Sequence, residues 1–174
     1  MTQDSSDFSL YIDVSVFAAP LRPYVEELLE RLGPEADVPD DPLTALAQSH
    51  AAPADRPADA VMARLLPDGV MEDEEAAVEF RRFSHGQLRT RKRQDATYFL
   101  SVLDEGVVQI NRLQTLSLLG ALNDVRLMLG TSLMVTQDAE VEVESPDEEA
   151  AYLAYRMATY LQEGLVESLD SSLD

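Results

Sequence analysis

Residues 112–134 read RLQTLSLLGALNDVRLMLGTSLM, and this stretch decides the fold. Leu113, Leu116, Leu118, Leu119, Leu122, Val125, Leu127, Leu129 and Leu133 cover nearly every angle of a helical wheel. A helix that is apolar all round is one enclosed by other elements. The stretch therefore predicts a central core helix, capped by Asn111. Asn123, Asp124 and Arg126 interrupt it. Each buried polar group without a hydrogen bond costs about 1–3 kcal/mol. A structural polar network of Lys92, Asn123, Asp124 and Arg126 is expected, with Asp124 paired to Lys92 or a nearby arginine. A ligand site is the alternative. Gly120 and Gly130 flank these residues. Glycine costs about 1 kcal/mol against alanine inside a helix, so close helix approach is the motive expected for both.

Outward on the C-terminal side, Val141 and Val143 alternate with glutamates, as an acidic edge strand or a solvated loop. Ser145-Pro146-Asp147-Glu148 is a helix start: a cap, a proline at the first position and a capping-box acid. Leu153, Met157, Leu161 and Leu165 follow as the buried stripe of a helix ending near Leu169.

On the N-terminal side, Val107 to Ile110 is a short strand. Its expected partner is the first strand, where Phe8, Leu10, Ile12 and Val14 alternate with polar residues and Tyr11. Pro20 and Pro23 predict a helix start, Leu21, Val25, Leu28, Leu29 and Leu32 its stripe, and Gly33-Pro34 its stop. Residues 34–58 hold five prolines and no aromatic residue, which reads as a loop. Ala60 to Leu66 makes two helical turns, ended by Pro67-Asp68-Gly69. Asp73 caps a short helix to about Phe83. Ser84-His85-Gly86-Gln87 then reads as a capping box opening a longer helix to about Leu103, with Leu88, Ala96, Phe99 and Leu103 on one face.

The fold class expected is mainly α: a compact helical bundle around the central apolar helix, about 112–134, with a small two- or three-stranded sheet. It forms a single α-rich domain over 1–174, with 1–7 and 170–174 disordered.

Composition narrows the function. The chain has 174 residues, 45% of them apolar, and no cysteine. That excludes disulfides, thiolate metal sites and cysteine nucleophiles. The apolar runs are far shorter than the roughly 20 residues of a membrane span, and no signal-peptide pattern opens the chain. A cytoplasmic protein with no membrane association is expected. His50 and His85 fall in no metal-binding pattern, and no phosphate loop or nucleophile elbow occurs. No catalytic residue, metal or cofactor is expected; an enzyme or metal protein is the third-ranked reading.

The net charge is -20. It repels nucleic acid and anionic membranes at long range. Yet Arg81, Arg82, Arg89, Arg91, Lys92 and Arg93 place six bases within thirteen residues. Arg81, Arg82, Arg89, Arg91 and Arg93 are the candidate partner-binding residues. Internal salt bridging and contact with DNA phosphates are the competing roles. Lys92 shares a meridian with Leu88, Phe99 and Leu103 and points inward. The expected function is that of a non-enzymatic regulatory or adaptor protein with a protein partner. The alternative is a direct DNA-binding regulator, with Ser84 to Gly86 as the turn of a helix-turn-helix. A homo-oligomer stays open.

Four segments carry a resemblance. They are Ala63-Arg64-Leu65-Leu66-Pro67-Asp68, Glu79-Phe80-Arg81-Arg82-Phe83, Leu88 with Arg91-Lys92-Arg93, and Ala121-Leu122-Asn123-Asp124-Val125-Arg126-Leu127 with Leu129-Gly130-Thr131. Together they resemble the actinobacterial AosR-like family, over about Met62 to Leu169. The resemblance implies a role in transcription and oxidative-stress regulation, with a protein partner or DNA as target, and no catalytic residue. A thiol-based oxidant sensor needs cysteine, which this chain lacks. The resemblance therefore implies a binding role here rather than thiol sensing.

Overall fold

The computed structural model describes residues 8–34, 57–69, 73–135 and 143–172. Strand β1 (Ser9–Asp13) turns Leu10 and Ile12 inward and exposes Ser9, Tyr11 and Asp13. Strand β2 (Val107–Asn111) buries Val108 and Ile110 by the same alternation. The two pair antiparallel, with Leu10 opposite Ile110 and Ile12 opposite Val108. A shift of one residue would turn the inward set to solvent, so burial pins the register. These two strands are the sheet among the described residues.

Helix α1 (Ser15–Leu32) starts earlier than its prolines suggest, and Pro20 and Pro23 lie inside it. An interior proline removes one helical hydrogen bond. Here the carbonyls left over are those of Val16 and Ala19, both exposed residues, so their loss of a helical donor costs little. Phe17, Leu21, Val25, Leu28 and Leu32 bury the opposite face. Each such burial contributes about 1.5–3 kcal/mol. Gly33 ends the helix at φ 73°, a conformation that favours glycine.

Helix α2 (Ala60–Leu65) is capped by Asp59, which accepts from the Met62 N–H at 2.8 Å. Helix α3 (Glu74–Glu105) is one continuous helix of 32 residues, capped by Asp73. The break expected at Ser84–Gln87 is absent. The Ser84 hydroxyl donates to the Phe80 carbonyl at 2.7 Å, one turn back along its own helix, instead of capping a new one. The turn of a helix-turn-helix is therefore also absent there.

Helix α4 (Arg112–Ser132) begins with a complete capping box between Asn111 and Gln114. It contacts α1, α2, α3 and β2, and packs along helix α5 (Pro146–Asp170). Leu118, Ala121, Leu122, Val125, Met128 and Leu129 are buried. Leu113 and Leu116 are exposed, because the neighbouring helices do not enclose the first two turns of α4. Helix α5 is capped by Ser145, with Pro146 at its start. Its buried stripe is Ala154, Ala158, Leu161 and Leu165, and Leu153 is exposed. Leu161 and Leu165 match the expected stripe, whereas in the first half of the helix Ala154 and Ala158 take the innermost positions and Met157 is only partly buried against the core. Helix α5 includes Asp170, inside the tail expected to be disordered.

Most of the proline-rich stretch, Val141 of the acidic alternation, residues 1–7 and the last two residues lie outside the described residues. Val143 and Glu144 are exposed and belong to neither helix nor strand. Among the described residues no helix is long and apolar enough to cross a membrane.

Candidate functional site

The bases between Arg81 and Arg93 share one helix but not one role. Arg81 is 3% exposed. It donates to Asp68 at 3.0 Å and to Glu74 at 2.7 Å, which ties the turn after α2 to the start of α3. Arg89 donates to the Leu32 carbonyl at 3.3 Å. Arg93 donates to the carbonyls of Leu29 and Gly33 at 3.2 and 2.5 Å. These carbonyls end α1, where no further helical N–H reaches them and the helix dipole favours a cation. Arg82 is half-buried, and its Nε has no hydrogen-bond partner. Arg91 is exposed, with Asp95 3.9 Å away. Of the five candidate partner-binding arginines, Arg91 is the one exposed on the surface, in a loose ion pair with Asp95. Arg81 is withdrawn into the fold, because two carboxylates hold it there.

Lys92 points inward and donates to Asp124 at 2.5 Å. Asp124 is 1% exposed. Burial pushes its carboxyl above the usual carboxylate range, and nearby Asp95 adds to the rise. The hydrogen bond and charge of Lys92 pull the other way without cancelling the burial. A Cβ at Gly120 would lie 3.1 Å from the Asp95 carboxylate, so this glycine makes room between α3 and α4. Gly130 is different: a Cβ there would make ordinary contact with Tyr155, at 3.5 Å.

Asn123 and Arg126 do not join the Lys92–Asp124 bridge. Each helical residue turns about 100°, so the residue before Asp124 and the one two beyond it fall on a face turned away from Lys92, while Val125 stays in the core. Asn123 is exposed. Arg126 donates to the Gln162 side-chain carbonyl at 2.5 Å, and its guanidinium lies 5.5 Å from the Tyr155 ring centroid. Its Nε is buried with no acceptor. Both residues line a cleft of about 350 Å³ between α4, α2 and α5. Arg64 of α2 and Tyr155 of α5 form two sides. Leu127, Gly130 and Thr131 continue the α4 wall, and Met134 and Val135 close its end.

The backbone at that end is unusual. The Val135 N–H donates to the Gly130 carbonyl at 2.9 Å and the Met134 N–H to the Thr131 carbonyl at 3.3 Å. This is a Schellman cap, whose left-handed position is normally glycine. Met134 holds it at φ 51°. A residue with a Cβ pays about 1–2 kcal/mol there. Such strain gathers at functional sites.

A family model matches residues 8–169, from the first strand through the last helix. The chain belongs to that family, described as Domain of unknown function (DUF2017). No curated protein and no solved structure matches it.

Sequence reasoning found Asn123 and Arg126 but grouped them with Lys92 and Asp124. It missed Arg64, Thr131, Tyr155 and Gln162. One signal was present: Asn123, Arg126, Leu127, Gly130 and Thr131 recur at i, i+3, i+4, i+7 and i+8, one helical face. Among the described residues no group of three or more His, Asp or Glu is placed to hold a metal ion.

Proposed function

We propose that this is a non-enzymatic, cytoplasmic regulatory or adaptor protein that binds a protein partner at the end of the bundle carrying the sheet. One observation supports this most: large apolar side chains are exposed on the strand pair and beside its two ends. Tyr11 and Val107 lie diagonally on the outer face of the strand pair. Val16 opens α1, three residues past the Asp13–Val107 end of the strand pair, and Leu113 opens α4, two residues past its opposite Ser9–Asn111 end. Tyr160 is exposed and stacks on Phe17, 6.3 Å between ring centroids. Grouped apolar exposure marks an interaction surface, all the more in a chain of net charge -20. The resemblance to AosR-like regulators supports placing the role in transcription or stress regulation. Direct DNA binding is disfavoured, since α3 runs straight through the expected recognition turn and the net charge repels phosphates.

The test is affinity capture from native extract, with and without nuclease, followed by reconstitution with the purified partner. Wild type is compared with a Val16→Ser, Leu113→Ser variant and with Arg91→Glu, each checked for folding by circular dichroism. A partner that survives nuclease and is lost in the double variant is expected. Loss in Arg91→Glu alone would return the surface to the basic segment. Recovery of DNA-dependent material only would favour the DNA-binding reading.

A further inference from the structure

Arg126 is a half-buried cation with an uncharged partner. Lys92 meets Asp124, Arg31 meets Glu27 and Asp59, and Arg22 meets Asp104. Arg126 meets only Gln162 and the face of Tyr155, and its Nε has no acceptor. A charge withdrawn from water without an opposite charge is costly, so such a site favours an anion. The cleft beside it adds a second guanidinium, Arg64, and the Asn123 carboxamide, and among the described residues that line it there is no acid. The charged groups among those described lining residues are both cations, in a chain of net charge -20. Apart from Thr131, whose hydroxyl donates to the Leu127 carbonyl, the side chains on the rest of the described wall are apolar: Leu127, Met134, Val135 and the Tyr155 ring.

We infer that this cleft binds a small organic carboxylate. The guanidiniums of Arg126 and Arg64 take the carboxylate, whose two oxygens match their planar fork. The Tyr155 ring and the turn after α4 take the apolar body. A volume of about 350 Å³ suits a small molecule. A phosphate dianion fits less well. Phosphate sites draw on backbone N–H groups at helix N-termini, and the C-terminal, negative end of α4 that closes this cleft opposes a dianion more than a monoanion. The bound carboxylate would bridge α2, α4 and α5. This site is separate from the sheet end and stands independently of the protein-partner reading.

Benzoate is the probe, with benzamide as its uncharged counterpart and inorganic phosphate as the competing anion. Binding is followed on the full chain by the thermal midpoint and by the arginine Nε–H resonances in NMR. Saturable benzoate binding is expected, with a rise in midpoint, movement of the Arg126 Nε–H signal and no matching effect of benzamide. Arg64→Gln and Arg126→Gln are each expected to weaken benzoate by about ten-fold or more. Arg64 is exposed, so its replacement keeps the test valid even if Arg126→Gln perturbs folding. No saturable benzoate binding, undiminished binding in Arg64→Gln, equal binding of benzamide, or preference for phosphate would each overturn the assignment.

Discussion

Lys92 and Asp124, 32 residues apart, meet at 2.5 Å between the core helices α3 and α4. Asp124 is almost fully buried, and the Lys92 side chain is 16% exposed. The folded chain holds the Asp124 proton more tightly than the unfolded chain does, where the value is near 3.8. Its contribution to stability is thus complete below that value and is lost as pH rises through the raised folded value. Removing Lys92 removes the interaction that opposes this rise. Lys92→Met is expected to lose about 3–5 kcal/mol near neutral pH, because it leaves a buried carboxyl without its cation. The loss should shrink between neutral pH and an acid pH, as the carboxyl takes up a proton. Lys92→Met with Asp124→Leu should recover most of it. Urea unfolding of the three proteins at both pH values checks this; a pH-independent deficit would refute it.

The basic segment makes a sharper comparison within a few residues. Arg93 satisfies the end of α1, whereas Arg91 projects into water. Arg93→Met is expected to lose about 1–3 kcal/mol, the cost of orphaned carbonyls. Arg91→Met should change stability by less than about 0.5 kcal/mol. Equal effects in thermal unfolding would mean that the Arg93 cap contributes nothing.

Continuity of α3 is testable at Gly86. A Cβ there would meet nothing within 4 Å. Within an unbroken helix, Gly86→Ala should stabilise the protein by about 0.5–1 kcal/mol. Ser84→Ala should be nearly neutral, since the hydroxyl bonds a carbonyl of its own helix. At a helix cap the same serine change would cost about 1 kcal/mol. Destabilisation by both substitutions would mean that the chain turns here after all.

Much of the architecture was legible because it follows from local chemistry. The alternation at Leu10 and Ile12 and at Val108 and Ile110 specifies two half-buried strands. Asp73, Asn111 and Ser145 announce three helix starts through their own side chains, and all three side chains cap, although Glu148 accepts from the Glu144 N–H instead of closing the expected box on Ser145. Local signals misled where the surroundings outweighed them. Ser84–Gln87 has capping-box residues but stays helical, and Pro20 and Pro23 lie within α1 because the buried face from Phe17 to Leu32 holds it together.

The site divides along the same line. The sequence by itself determined that polar residues interrupt the central helix and that one segment concentrates the arginines. Only the tertiary structure decided which polar residue faces which neighbour. A turn of about 100° per residue sends Asp124 to Lys92 and its neighbours Asn123 and Arg126 to a cleft. Arg64 and Tyr155 join that cleft from α2 and α5, and Arg81 finds its carboxylates across a turn. Periodicity records which face of a helix is apolar, but the partners across each face are set by packing among segments distant in the chain.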